Sequence, residues 1–306
     1  VAELVAPAAY SATTGVLTAG AAVTLEALRA ALDRVAAAPA TAGTSAAPVA
    51  SELSRHLGRV ATTQVRAVGS WAGNLCLAAA APALPSDVLL ILAAAGATVE
   101  LLPRGALPSA AAQPRSTPVE TFVAGGAAAV AANVVVSLRL PLRAAPSVLG
   151  RFSCSSAASP GAGQVTRAYA DKTSQRHANS HAIVNAALVA TTDAEGGVTS
   201  CKAVFGGVID GGLFVATVAP QALLGKRLTD ATALQGFVSA LETEAKQRGL
   251  STDPQNSASY RLALLRSFAY KFFLRAQPSL PPALSSAVAA SLAAVEDRPV
   301  SSGVQS

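Results

Sequence analysis

QVRAVGSWAGNLCLAAAAPALPSD, residues 64–87, combines a glycine-containing turn with a few polar side chains in otherwise apolar surroundings. Gly69 and Gly73 lack a Cβ atom, so the backbone can bend or approach a ligand closely there. The accompanying polar side chains are Ser70, Asn74, Ser86 and Asp87. A pocket needs only a small number of such oriented groups. The stretch therefore predicts a ligand-binding loop, with a surface turn followed by a helix cap as the alternative.

Composition indicates a folded protein with one large or two medium domains. Of the 306 residues, 51% are hydrophobic and 13% are charged, which is ample for a buried core. The net charge of +6 comes from scattered Lys and Arg without a basic run or interleaved aromatic residues, so the sequence argues against nucleic-acid binding. Broken apolar stretches and a start without basic residues predict neither a membrane span nor a signal peptide. The absence of Met leads us to expect a piece of a longer or processed chain.

The cysteines and histidines do not form a recognisable metal site. Cys76, Cys154 and Cys201 are far apart and include no C-x-x-C pair, so the sequence predicts neither a disulfide framework nor a zinc or iron–sulfur centre. His177 and His181 have the i, i+4 spacing of a helical metal pair, but no carboxylate lies close by in the sequence. We expect no metal in this chain, and no pattern of a catalytic acid, base or nucleophile is visible in its sequence.

Hydrophobic periodicity predicts helices and strands throughout the first half. Thr24 is the expected N-cap of the first helix, and Gly96 is expected to end the third. The predicted elements are a strand over 16–23, helices over 25–38, 51–61 and 88–95, and strands over 98–102 and 134–140. Residues 36–50 and 103–118 are predicted to be irregular. In the last strand Val134, Val136, Leu138 and Leu140 are expected to share one face.

The second half reads as a small sheet covered by helices. Residues 142–164 are rich in Ser, Ala, Pro and Gly, which is typical of a linker. Short strands over 189–192, 198–205 and 213–217, separated by glycine-containing turns, predict a three-stranded antiparallel sheet. Residues 229–247 and 259–276 have helical periodicity.

Residues 64–74 resemble the segment "TQIRNVASxGGN" in the flavin domain of xanthine dehydrogenases and aldehyde oxidases, and residues 85–87 resemble the "ISD" that follows it. Both segments touch FAD in that family. The resemblance therefore implies that FAD is bound by Gly69, Ser70, Gly73, Asn74, Ser86 and Asp87. Ala72 stands where the family usually has a second glycine, and the Ala-rich stretch before Ser86 is a few residues longer.

Other segments resemble the same family in the same order. Residues 134–141 resemble "ILLSIEIP", which implies that Val136 packs near the flavin. Residues 172–187 resemble "KxSxRxxxDIAIVNAA", except that 179–181 lack the acidic pair and that Ile183 replaces a Lys found in some members. Residues 260–274 resemble the family's terminal helix, and 298–305 resemble its "RPxSxGxQ" connector.

The resemblance implies an α+β fold. Residues 1–143 are expected to form a partial flavin-binding domain of the PCMH type, whose first lobe, with the loop for the FAD pyrophosphate, is absent. A linker over 144–167 then leads to a smaller domain of antiparallel sheet and helices over 168–278. Residues 279–306 are expected to be a connector toward a molybdenum-type domain.

The function implied is electron transfer through FAD to NAD+ during oxidation of purines such as hypoxanthine and xanthine, or of aldehydes. The molybdenum cofactor and 2Fe-2S centres are expected on other parts of the same or an associated polypeptide, and the full enzyme is expected to be a homodimer. We expect a cytoplasmic location, with the peroxisome as an alternative. A degenerate homologue that binds no flavin and serves as a structural or interaction domain is the alternative function.

Overall fold

A computed structural model describes residues 2–106, 113–142, 164–176 and 179–276. Most of the predicted linker and the whole predicted connector lie outside these residues, as do Cys154 and His177. We call residues 2–142 the N-terminal unit and residues 164–276 the C-terminal unit.

The N-terminal unit is built on a mixed arrangement of helices and one antiparallel sheet. Within the described residues the sheet has the strand order β1-β2-β5-β3-β4. Its strands are β1 (Ala9–Ser11), β2 (Val16–Gly20), β3 (Thr98–Pro103), β4 (Arg115–Pro118) and β5 (Asn133–Pro141). Its helices are α1 (Leu25–Ala37), α2 (Ala46–Leu57), α3 (Thr63–Val68), α4 (Trp71–Ala80), α5 (Asp87–Ala94), α6 (Val119–Ala124) and α7 (Gly126–Ala132).

Hydroxyl side chains fix where several of these helices begin. The hydroxyls of Thr24, Ser70 and Ser86 each accept a hydrogen bond from the backbone N–H three residues later, at the start of α1, α4 and α5. Such a cap satisfies an N–H that has no partner inside the helix. Gly96, with φ of 73°, follows the end of α5 as predicted.

The C-terminal unit is a second antiparallel sheet with helices packed against it. The strand order is β6-β7-β8-β9. The elements are β6 (Val165–Ser174), β7 (Ala182–Thr192), β8 (Val198–Gly206), β9 (Leu213–Val215), α8 (Ala231–Gln247) and α9 (Ala258–Ala276). Phe237 and Phe273 pack with ring centroids 5.9 Å apart in the core between the two helices. The α+β class is confirmed.

The two units share an interface without sharing a strand. Ala170, Ala187 and Val204 of the C-terminal sheet belong to the same buried cluster as the N-terminal core. They lie where α2 and α5 pack against β6, β7 and β8. The division of the chain into domains with the predicted boundaries stays a prediction.

Several sequence predictions were wrong in detail. Residues 64–87 do not form one loop, because α3, α4 and the start of α5 occupy most of them. The region predicted to be irregular over 36–50 contains the start of α2, and the region over 103–118 contains β4. The C-terminal sheet has four strands within the described residues, because β6 precedes the three predicted segments and β7 extends the first of them.

The predicted alternation in β5 is broken at Val136. The pairing between β3 and β5 shifts register so that Ser137 and Val135 face consecutive residues of β3, which leaves Val136 as the extra residue of a bulge. Val135, Leu138 and Leu140 consequently join the main core cluster, and Val136, although buried, does not.

The open edge of β6 is covered by side chains of α2. Glu52 accepts a hydrogen bond from the backbone N–H of Ala170 at 2.7 Å, and Arg55 donates to the carbonyl of the same residue. Arg59, just beyond the end of α2, donates to the carbonyl of Lys172 at 3.2 Å and to the carboxylate of Asp171. These contacts satisfy backbone groups that an edge strand otherwise presents to solvent.

Candidate functional site

A cavity of about 180 Å³ lies between the two units. It is lined by Val60, Ala61, Asn74, Leu77, Ala78, Leu84, Pro85, Ser86 and Asp87 from the N-terminal unit and by Lys172, Asn179, Ser180 and His181 from the C-terminal unit. The structure therefore brings three of the predicted site residues together: Asn74, Ser86 and Asp87.

Asp87 is the charged centre of this site. Its Oδ2 accepts a hydrogen bond from Lys172 Nζ at 2.8 Å, and its Oδ1 accepts one from Asn185 Nδ2 at 2.7 Å. His56 Nε2 lies 3.4 Å from the same Oδ1. The carboxylate begins α5, whereas Lys172 and Asn185 stand on β6 and β7, so these contacts join the two units.

The surroundings favour the ionised form of Asp87. Burial alone would raise the pKa of this carboxyl group, but contact with His56 and the charge and hydrogen bond of Lys172 outweigh burial and hold the pKa well below its usual range. Asp87 and Lys172 thus form a buried ion pair, with their side chains 9% and 2% exposed. Removing one partner of such a pair leaves the other charge uncompensated.

Asn74 and Ser86 are linked to each other beside this ion pair. Ser86 Oγ donates to Asn74 Oδ1 at 2.6 Å while it accepts from the backbone N–H of Leu89 at 3.0 Å. The cap of α5 therefore also fixes the amide of Asn74. This hydrogen bond fixes the orientation of the amide, whose Nδ2 can donate to a ligand.

The cavity wall contains backbone in an uncommon conformation. Ala61 has φ of 49° and Asn179 has φ of 50°, and they are the described non-glycine residues with positive φ. Both line the cavity, one from each unit. Such conformations are costly for residues with a Cβ atom and often occur at binding sites. Lys172 Nζ also donates to the carbonyl of Ser180 at 3.3 Å, which ties this wall to the ion pair.

Gly69, Ser70 and Gly73 lie nearby but do not line the cavity. They form the turn where the N-termini of α1 and α4 meet: Leu25 N donates to the carbonyl of Gly69 at 2.9 Å, and Gly73 N donates to Ser70 Oγ at 3.0 Å. A Cβ atom at Gly73 would stand 3.1 Å from Ser70 Oγ, so the absence of a side chain permits this tight cap. Their predicted contact with FAD stays a prediction.

Val136 lies at a different cavity. That cavity, of about 360 Å³, is lined by residues including Glu3, Gly20, Glu100 and Arg139. The bulge in β5 explains why Val136 points away from the main core. Its predicted place beside the flavin also stays a prediction.

Sequence reasoning left three members of the Asp87 cluster out of the site: His56, Lys172 and Asn185. A signal existed for two of them, because Lys172 and Asn185 stand in the segment that resembles "KxSxRxxxDIAIVNAA", and an amide inside the apolar run IVNAALV is unusual. Gly206 accommodates this amide, since a Cβ atom there would collide with Asn185 Oδ1. His56 gave no local signal.

The described residues offer neither a metal site nor a membrane-spanning helix. They contain no group of His, Cys, Asp and Glu side chains that could hold a metal ion. No described helix is both long and apolar enough to span a bilayer.

Comparison with protein families extends over both units. Residues 3–143 match the model of the FAD binding domain in molybdopterin dehydrogenase. Residues 169–276 match the model of the CO dehydrogenase flavoprotein C-terminal domain. The chain belongs to the flavin-binding region of the molybdenum hydroxylases, a family of oxidoreductases.

Individual relatives agree with this assignment of the flavin-binding region. Xanthine dehydrogenase of Emericella nidulans is 38% identical over 113 residues, which is 36% of this chain and 8% of that protein. The chain thus matches only a small part of the length of this relative.

Solved structures show the same fold. Carbon monoxide dehydrogenase from Hydrogenophaga pseudoflava matches with a TM-score of 0.62 and 19% identity over 90% of this chain and 78% of that chain. Reconstituted CO dehydrogenase from Oligotropha carboxidovorans matches with a TM-score of 0.58 and 19% identity over 89% and 79% of the respective chains.

The junction cavity fits part of an FAD molecule. Its volume of about 180 Å³ is below the roughly 300 Å³ of a small-molecule pocket, so it suits one group of the cofactor and not the whole. The donor set suits a flavin or sugar edge: Asp87 offers a carboxylate and Asn74 an amide N–H, and the rest of the wall combines apolar and polar side chains. Asn185 Oδ1 is buried without a hydrogen-bond partner among the described residues, so these residues leave one polar atom of the Asp87 cluster unsatisfied.

Proposed function

We propose that the chain is the FAD-binding electron-transfer segment of a molybdenum hydroxylase. When bound, FAD would supply the chemistry of electron transfer from iron–sulfur centres to NAD+. The observation that carries the proposal is the convergence of Asn74, Ser86 and Asp87 with Lys172 at a cavity between two units that each match a flavoprotein family model.

The chain's own residues would bind and orient the cofactor. Asp87, held ionised by His56 and Lys172, accepts a hydrogen bond from a ligand N–H or O–H group at the cavity. Ser86 holds Asn74 so that its amide nitrogen can donate. Leu77 and Leu84 supply apolar surface on the same wall. This role requires no nucleophilic side chain at the cavity, since the protein contributes position and electrostatics.

The remaining parts of the proposal concern the whole enzyme. Molybdenum cofactor and 2Fe-2S centres would lie on other parts of the same or an associated polypeptide, in a homodimeric cytoplasmic or peroxisomal enzyme. The match to a xanthine dehydrogenase supports a purine or aldehyde substrate. The carbon monoxide dehydrogenases share the fold, so the fold is equally compatible with other substrates. NAD+ as acceptor follows from the former resemblance.

A second candidate function is favoured by one feature of the same site. Asp87 already accepts hydrogen bonds from Lys172 and Asn185, an arrangement that would also suit a purely structural connection between the two units. In that case the chain is a degenerate homologue that keeps the fold as a structural or interaction domain and binds no flavin.

Substitution of Asp87 by Asn separates the two functions. If Asp87 binds FAD, loss of a charge-assisted hydrogen bond of about 1.5–3 kcal/mol lowers FAD affinity by roughly ten- to a hundredfold. The measurement is flavin fluorescence titration of the 306-residue protein, with the melting temperature taken on the same samples.

Asp230→Asn is the matched control, because Asp230 also stands at a helix start, caps α8 and is exposed. It should leave FAD affinity unchanged. No measurable FAD binding by the unmodified chain or by the larger protein that contains it, together with a lowered melting temperature for Asp87→Asn, would establish the structural function instead.

A further inference from the structure

His56 is a buried imidazole without a satisfied nitrogen. It lies in the last turn of α2 and is 0% exposed. Neither Nδ1 nor Nε2 has a hydrogen-bond partner among the described residues, and the approach of Nε2 to Asp87 Oδ1 at 3.4 Å falls short of a hydrogen bond. A buried polar group in this state weakens the fold relative to an apolar side chain of similar size. Packing alone therefore does not account for a histidine here.

The position of His56 relative to Asp87 suggests what the imidazole does. Asp87 Oδ1 accepts from Asn185 on β7 and lies 3.4 Å from His56 Nε2 on α2, while Oδ2 accepts from Lys172 on β6. Protein groups thus approach the carboxylate from three different elements.

We propose that His56 is a positioning residue for Asp87, and that its Nε2–H closes onto Oδ1 when a ligand at the cavity engages the carboxylate. The proposal rests on the proposed function, since it treats Asp87 as an FAD contact. His56 itself does not line the cavity, so it acts through Asp87. The tautomer with the proton on Nε2 is the one that can donate.

The proposed role depends on the position of His56 Nε2, which lies close to the Asp87 Oδ1 atom that Asn185 contacts. A ligand donor that draws the carboxylate toward the cavity competes with Lys172 and Asn185 for its lone pairs. Closure of the His56 contact restores a donor on the buried side and keeps the negative charge stabilised in a low-dielectric environment. The cost of the unsatisfied imidazole in the free protein is then recovered on binding, which raises ligand affinity.

A pair of polar substitutions tests the proposal without changing the polarity of the site. In His56→Gln the side-chain amide nitrogen can take the place of Nε2, whereas in His56→Asn it can reach only the place of Nδ1. We expect His56→Gln to keep FAD affinity within about threefold of the unmodified chain and His56→Asn to lower it by about tenfold, an equilibrium factor equivalent to about 1.4 kcal/mol. FAD affinity is measured by fluorescence titration, and the melting temperature of every variant is recorded.

His56→Leu and a double mutant complete the design. His56→Leu should lower FAD affinity like His56→Asn even if it raises the melting temperature. Combined with Asp87→Asn it should add little to the loss caused by Asp87→Asn alone, because both changes remove the same contact. A merely structural histidine would instead change the melting temperature and leave FAD affinity alone in all three variants.

The outcomes distinguish the two proposals. If Asp87→Asn lowers FAD affinity and the His56 variants do not, the positioning role is wrong and the proposed function stands. If Asp87→Asn leaves FAD affinity unchanged, the contact of Asp87 with FAD is wrong and the role of His56 fails with it. Equal losses in His56→Gln and His56→Asn would also overturn the positioning role, because they would show no dependence on the place of the donor.

Discussion

Two buried carboxylates, Asp87 and Glu244, illustrate different uses of the same chemical group. Glu244, on α8, accepts hydrogen bonds from the hydroxyl and backbone N–H of Thr217 and from the N–H groups of Val218 and Ala219. All of these partners belong to the C-terminal unit, and the carboxylate caps a turn. Asp87, in the N-terminal unit, has side-chain partners on β6 and β7 of the C-terminal unit and also lines a cavity. A local donor set indicates a structural role, whereas a donor set that joins two units beside a cavity indicates a site.

The largest expected effect tests whether the Asp87 pair holds the two units together. Lys172→Met removes the cation and leaves Asp87 as an unpaired buried charge, so we expect the free energy of unfolding to fall by about 3–5 kcal/mol. Urea denaturation followed by the fluorescence of Trp71, the single tryptophan of the sequence, measures the change.

Lys226→Met is the control for this substitution, because Lys226 is exposed. It should change the free energy of unfolding by no more than about 0.5 kcal/mol. If the two variants are equally stable, the ion pair contributes nothing to the junction and the contrast with Glu244 disappears.

A moderate effect is expected when the structural carboxylate is changed. Glu244→Gln replaces one acceptor oxygen by an N–H₂ group that faces backbone donors, which should cost about 1–3 kcal/mol of unfolding free energy. FAD affinity should not change, in contrast to Asp87→Asn. Glu195→Gln, in an exposed turn, serves as the control and should alter neither quantity. A loss of FAD affinity in Glu244→Gln would show that local and junction carboxylates cannot be distinguished by their donors.

The smallest expected effect is the change with pH in the amount by which Asp87 stabilises the fold. The pKa of Asp87 is lowered in the folded protein from its ordinary value of 3.8, so its stabilising effect is complete above that value and is lost as the pH falls through the lowered folded pKa. The difference in unfolding free energy between the unmodified chain and Asp87→Asn should therefore be constant from pH 7 to about pH 5 and shrink below about pH 4. Denaturation curves across this range measure it, and a difference that grows on acidification would contradict the lowered pKa.

The elements that were predicted correctly depend on neighbours in the sequence. The cap by Thr24, the end of α5 at Gly96 and the long helices α8 and α9 follow from residues within a few positions of one another. A helix of this kind carries its own periodicity, and a cap is formed by an N–H three residues away.

The features that were missed depend on residues far apart in the chain. Lys172 and Asp87 are 85 residues apart, and no periodic pattern connects them. The bulge at Val136 arises from pairing with β3, so the alternating sequence of β5 predicted the wrong face. The turn over Gly69 and Ser70 was located correctly, and Ser70 caps α4, a use that the residue types alone could not distinguish from ligand binding. Its predicted contact with FAD stays a prediction.

The cover that α2 places over β6 has a consequence for solubility. Glu52 and Arg55 occupy the backbone groups of Ala170, in the middle of a ten-residue edge strand. A C-terminal unit without α2 would present this edge to other copies of itself, and long open edges are templates for association between chains. Because α2 precedes β6 in the chain, its side chains are already synthesised when the strand leaves the ribosome. The N-terminal unit is therefore available to cover this edge as soon as the strand is synthesised.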